Sequence, residues 1–150
     1  MADRNTIILQ GFSMALQCEA EAHEDLYPGM LLEERSDGKF QKHDDEGGIA
    51  ERLIAYEDEL QGKTVDEKYD SGERVLAARL VPGAKAKLMI KAGEEIAIGD
   101  ELISAGDGTF IEDTSAGTGV TVDQVVAIAV EACDLSATSA SNTLCAARIL

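Results

Sequence analysis

The stretch Ile96-Ala97-Ile98-Gly99-Asp100-Glu101-Leu102-Ile103-Ser104-Ala105-Gly106-Asp107-Gly108-Thr109-Phe110 decides the fold. Ile96, Ile98, Leu102 and Phe110 are apolar anchors, and Gly99-Asp100 and Gly106-Asp107-Gly108 are turn residues. Asp-Gly between apolar runs is a strong hairpin signal, because glycine enters the left-handed region without steric cost. The same spacing occurs earlier. Gly29, Leu32, Asp37, Gly38 and Phe40 recur as Gly99, Leu102, Asp107, Gly108 and Phe110 at one constant offset. The chain therefore uses one β-hairpin unit twice, within repeats spanning 29–58 and 99–134.

Outward from this unit the pattern stays β. The run 50–57 fits a helical period through Ile49, Leu53, Ile54 and Leu60. Its counterpart, Val125 to Asp134, is a continuous β-branched and alanine run of the kind found in buried strands, so 50–57 is read as a strand. Glu73 to Val81, Ala86 to Ile90 and Leu144 to Leu150 are further strands, with Ser71-Gly72, Pro82-Gly83 and Ala92-Gly93 as breaks. Thr114 to Gly119 and Leu135 to Asn142 read as small-residue loops. Short strands with turns about every ten residues give an all-β class, a small barrel or sandwich.

The chain has 150 residues and is 45% hydrophobic, with no Trp and 4% aromatics. That predicts one β-rich domain, 27–150, whose core is built of small layers. Residues 1–26 form an N-terminal arm or a first strand. Thr6, Ile7, Ile8, Leu9 and Phe12 are apolar or β-prone, and the acidic stretch Glu19 to Asp25 cuts them off from the body. The expectation is an extended arm that docks outside its own subunit.

The net charge is −16, from 13 basic and 29 acidic residues. A nucleic-acid groove needs a basic patch, and anionic membranes repel such a surface, so neither partner is expected. Cys18, Cys133 and Cys145 are odd in number and lack metal-type spacing, so no disulfide framework is expected. Cys133 reads as a small packed hydrophobe. The opening residues lack a signal-peptide core, and the expectation is synthesis in a reducing cytoplasm.

No catalytic pattern emerges. His23 and His43 lie in acidic polar stretches, and His43-Asp44-Asp45-Glu46 lacks the alternating spacing of a calcium loop. Ser13, Ser104 and Ser115 have no Gly-x-Ser-x-Gly context, and no phosphate loop is present. No enzyme activity, metal or cofactor is expected. Gly29, Asp37, Gly38, Gly99, Asp107 and Gly108 are read as structural turns.

The runs Ala50 to Tyr69 and Ser71 to Val75, with Pro82-Gly83, Gly93 to Gly99, Ala105 to Gly108 and Ala129 to Asp134, resemble capsid decoration (cement) proteins of tailed bacteriophages. The resemblance spans about 27–150. It implies a homotrimer made in the host cytoplasm, which becomes part of the virion on the outer surface of an icosahedral head and staples the major capsid protein lattice. It further implies that the Thr6–Leu9 segment adds a strand to capsid protein. The competing class is a ligand-binding or enzymatic β-barrel, such as a β-clip domain for sugars or nucleotides. It would need a concave pocket with convergent polar groups.

Overall fold

The computed structural model describes residues 5–114 and 124–150. Ser115 and most of the Gly/Ser/Thr loop lie outside the described residues, as do positions 1–4 of the arm. The described residues form thirteen strands and two short 3-10 turns, Phe12–Met14 and Glu59–Gln61. The first six strands are β1 (Ile8–Gln10), β2 (Leu16–Glu21), β3 (Leu31–Glu34), β4 (Phe40–Lys42), β5 (Leu53–Ala55) and β6 (Arg74–Arg79). The others are β7 (Lys85–Ile90), β8 (Glu95–Ile96), β9 (Glu101–Ser104), β10 (Phe110–Glu112), β11 (Ala127–Ala129), β12 (Cys133–Asp134) and β13 (Thr143–Ile149).

These strands build two five-stranded barrels with the same wiring. Barrel one runs β2-β6-β5-β3-β4 and is closed by a parallel bridge between Ala22 and Phe40. Barrel two runs β7-β13-β11-β9-β10 and is closed by a parallel bridge between Ile90 and Phe110. The registers match as well. Glu34 faces Phe40 as Ser104 faces Phe110. Leu32 faces Leu53 as Leu102 faces Ala127. Ala55 faces Ala77 as Ala129 faces Ala147. The repeat is therefore wider than the hairpin that announces it and takes in every strand of both barrels.

The turns that fix the hairpins are also duplicated. Asp37 Oδ1 accepts the Lys39 N–H at 3.1 Å, and Asp107 Oδ1 accepts the Thr109 N–H at 3.0 Å. Gly38 and Gly108 stand at φ 80° and 82°. At Gly29 the space is as demanding as the dihedral, because a Cβ there would lie 3.1 Å from the Lys87 carbonyl oxygen. A narrow five-stranded barrel leaves little interior room, which explains the small inward residues. Ala55, Ala77, Ala127, Ala129 and Ala147 are all fully or nearly fully buried.

The barrels also bury each other. Leu32, Leu53, Ala55 and Ala77 point into barrel one, while Leu31, Ile54 and Ala78 point outward into the core shared with barrel two. This is why Leu53-Ile54-Ala55 is buried throughout, without alternation. The strand expected over 50–57 is only three residues long. Arg52 takes φ 58° just before it, and Ile49 is exposed. The run from Val125 divides into β11 and β12, and β12 pairs with β8.

Two sequence expectations are corrected. The N-terminal segment lies on its own subunit, for β1 pairs antiparallel with β7, Ile8 facing Ala86. Ile7 and Ile8 are buried in the shared core, and the Ile7 N–H donates to Glu57 Oε2 at 2.9 Å. The acidic stretch after it is compatible with this because Glu19 and Glu21 sit on the solvent face of β2. The cysteines also differ from expectation. Cys133 and Cys145 form a disulfide, with Cα atoms 6.5 Å apart, and Cys18 is free. The folding of β12 back beside β13 creates this pair, which sequence spacing does not reveal.

Candidate functional site: the seam and the surfaces it leaves open

The seam between the barrels is formed by the hairpin tip of barrel two. Gly108 O accepts the Leu31 N–H at 2.8 Å, and the Gly108 N–H donates to His43 O at 3.3 Å. Ser104 O accepts the Gly47 N–H at 3.0 Å. A Cβ at Gly108 would meet the Lys42 side chain at 3.0 Å, so glycine permits the close approach.

His43 locks this seam. The sequence places it in a polar loop, yet it is buried. Its Nε2 lies 2.9 Å from Ile49 O and its Nδ1 2.7 Å from Ser104 Oγ. A carbonyl can only accept, so Nε2 carries the proton, and the Ser104 hydroxyl donates to Nδ1. Ser104 Oγ also accepts the Gly106 N–H at 3.1 Å. A serine and a histidine thus meet at the spacing of a nucleophile and its base. Both are sealed from solvent, and both are fully used in joining the two barrels. Only their three-dimensional pairing reveals them, since 61 residues separate them in sequence.

The carboxylates at the two hairpin tips are both held below their usual range. Burial would raise the Asp107 carboxyl, but bonds from Thr109 and Lys91 outweigh it and hold the group below its usual range. The Lys39 amide holds Asp37 low in the same way. Below the tip of barrel two, burial followed by the charges of Asp100, Glu94, Asp113 and Glu95 raises the Glu112 carboxyl. Burial is the larger cause there, and the neighbouring like charges add to it. Among the described residues no group of three or more His, Cys, Asp or Glu is placed to hold a metal ion.

Two further surfaces are open. A groove of about 1480 Å³ runs beside β7 and β13, lined among others by Leu9, Tyr27, Met89, Ile98 and Leu144. Ile98 on its rim is 70% exposed. The second surface follows β1. Phe12, Met14 and Leu16 are exposed, and Phe12 meets the Tyr56 ring edge-on at 5.7 Å. Of the segment assigned to an arm, Thr6 and Leu9 are therefore half-buried, Ile7 and Ile8 buried, and Phe12 exposed. The turn residues Gly29, Asp37, Gly38, Gly99, Asp107 and Gly108 are distributed between the two barrels; the tip of barrel two reaches the seam, and so does Gly29, whose carbonyl accepts the Met89 N–H of β7 at 2.9 Å.

No family model and no curated protein matches the chain. Among solved structures, the chain is similar to the head fiber gp8.5 N base of bacteriophage phi29, with a TM-score of 0.56 and 19% identity. The alignment covers 91% of this chain and 95% of that one, so the two share a fold over nearly their whole lengths.

Proposed function

We propose that this chain is a structural protein of a bacteriophage head. It sits on the outer surface of the shell as a homotrimer and stabilises the major capsid protein lattice. The observation that carries this reading is the fold shared with a phage head fiber base across 91% of the chain. The sequence resemblance to decoration proteins points the same way. The Ser104–His43 pair is closed to substrate, which favours a structural role over catalysis.

The contact with the shell runs through the exposed apolar segment after β1. Phe12, Met14 and Leu16 present large apolar side chains beside an otherwise acidic surface. Ile7 and Ile8 do not take part directly but hold that segment in place from the core. Co-sedimentation with purified heads of a tailed phage lacking its own decoration protein tests the reading. The wild type should pellet with the heads and raise their resistance to heat. The variant Phe12→Ser/Met14→Ser/Leu16→Ser should stay in the supernatant while keeping its melting temperature. Failure of the wild type to bind heads overturns the proposal.

A further inference from the structure

Barrel two keeps an extra strand on the outside of its first strand, and barrel one does not. The strand pairing equates β2 with β7: Cys18 faces Ala77 as Ala86 faces Ala147, and Ala20 faces Val75 as Leu88 faces Cys145. On β7 the outer edge is taken. The Lys87 N–H donates to Ile7 O at 2.8 Å, the Met89 N–H donates to Gly29 O at 2.9 Å, and Ile8 lies against Ala86. Among the described residues, β2 pairs with β6 and bridges to Phe40 at Ala22, and no other strand lies beside it.

Backbone alternation fixes what this edge offers. Leu76 faces Glu19 and accepts the Tyr56 N–H at 3.0 Å, so the Leu76 backbone is turned toward β5. Glu19 therefore turns its own N–H and C=O away from β6, and Gln17, two residues earlier, does the same. Glu19 is the counterpart of Lys87, whose N–H holds β1. The apolar side is uncovered as well. Ala86 and Leu88 are fully buried, whereas their counterparts Cys18 and Ala20 are half-buried.

An open edge of this kind accepts an extended segment by strand addition. It starts at Leu16, so it continues the exposed run of Phe12, Met14 and Leu16 that the proposed function turns to the shell. Glu19 and Glu21 are each balanced by one exposed cation, Arg74 at 2.7 Å and Lys39 at 2.8 Å. Recognition therefore falls to the backbone and to the side chain set against Cys18. The net charge of −16 disfavours a second copy here and favours a partner segment that is neutral or basic.

We infer that β2 is the acceptor strand for an extended, neutral or basic segment of the shell protein. The segment lies antiparallel along Gln17 to Glu19, as β1 lies along β7. It sets a branched apolar side chain against Cys18, as Ile8 is set against Ala86. The identity of the partner rests on the proposed function; the open edge itself does not.

Heads of a tailed phage lacking its own decoration protein are the probe. Glu19→Pro removes an N–H aimed at the open edge and none that bonds β6, a place where strands tolerate proline. It should bind heads more weakly by about tenfold or more, the equivalent of one hydrogen bond, and keep its melting temperature. Glu19→Ala, which retains the N–H, should bind like the wild type. Hydrogen exchange of the wild type gives a second reading that needs no variant. In the free protein the Gln17 and Glu19 amides should exchange fast and those of Cys18 and Ala20 slowly; on heads all four should be slow. Undiminished binding by a folded Glu19→Pro overturns the inference and leaves the proposed function standing, as do Gln17 and Glu19 amides that stay fast on heads. Equal losses in both variants would assign the contact to the Glu19 side chain and overturn it too. Slow exchange of these two amides in the free protein would assign the edge to a second copy, with the same result. A wild type that does not bind heads overturns the proposed function and this partner with it.

Discussion

Phe40 and Phe110 close their barrels in the same way: each opens the last strand of its barrel and bridges, in parallel, the end of the first strand, at Ala22 and at Ile90. Both rings are buried, at 2% and 0% exposure. A closing position cannot shed its large side chain without opening a void at the barrel's only parallel joint.

Phe40→Ala and Phe110→Ala should therefore each cost about 3–5 kcal/mol, and the two costs should be similar. Urea unfolding monitored by circular dichroism measures both. A cost below about 1 kcal/mol at either site would show that its barrel is not closed there.

Ile7 distinguishes a core strand from an arm. Ile7→Ala should destabilise by about 2–5 kcal/mol, whereas Phe12→Ala should stay within roughly 0.5 kcal/mol, as exposed sites usually do. Thermal melts of the two variants decide the matter. If Ile7→Ala melts like the wild type, the segment contributes nothing to its own subunit.

Removing the seam's polar lock should be felt at both ends. Ser104→Ala leaves His43 Nδ1 without a donor in a buried site, and His43→Ala removes the acceptor of the Ser104 O–H and the donor to the Ile49 carbonyl, while Ser104 Oγ keeps the Gly106 N–H. Each should cost about 1–3 kcal/mol. A double-mutant cycle on His43 and Ser104 should show strong coupling, since the second deletion removes a partner already lost.

The disulfide predicts a thiol count. Denatured without reductant, the protein should titrate one thiol, Cys18, and with reductant all three. Reduction should lower stability by about 3 kcal/mol, the loop-closure value for a short loop. Three titratable thiols before reduction would show that Cys133 and Cys145 are unpaired.

What the sequence revealed follows from where the repeats are constrained. Turn geometry demands glycine and aspartate at fixed places, so Gly29, Asp37, Gly38 and their counterparts stayed readable, and with them the hairpins. The pairing strands are constrained only in size and direction. β6 and β13 share register but little sequence, Arg79 standing where barrel two has Ile149. The duplication of whole barrels was therefore hidden. Ile7 and Ile8 were misread because their partner strand, β7, lies far along the chain, and local sequence does not report distant pairing. His43 looked solvated among acidic neighbours, and only the arrival of Ser104 from barrel two buries it.

The pairing of β1 with β7 also sets an order of events during synthesis. All five strands of barrel one, β2 to β6, are complete by Arg79 and can close as a unit while the rest is still being made. β1 precedes them but belongs beside β7, and β7 cannot close its own ring until β13 has emerged. At about 5–20 residues per second, the ring that holds β7, and β1 beside it, is completed only several seconds after barrel one is ready. Its two isoleucines are thus the first apolar side chains of the described fold to leave the ribosome and among the last to be covered. In that interval they are open to chaperones, and the segment is the place where this protein would first aggregate if barrel two closed slowly.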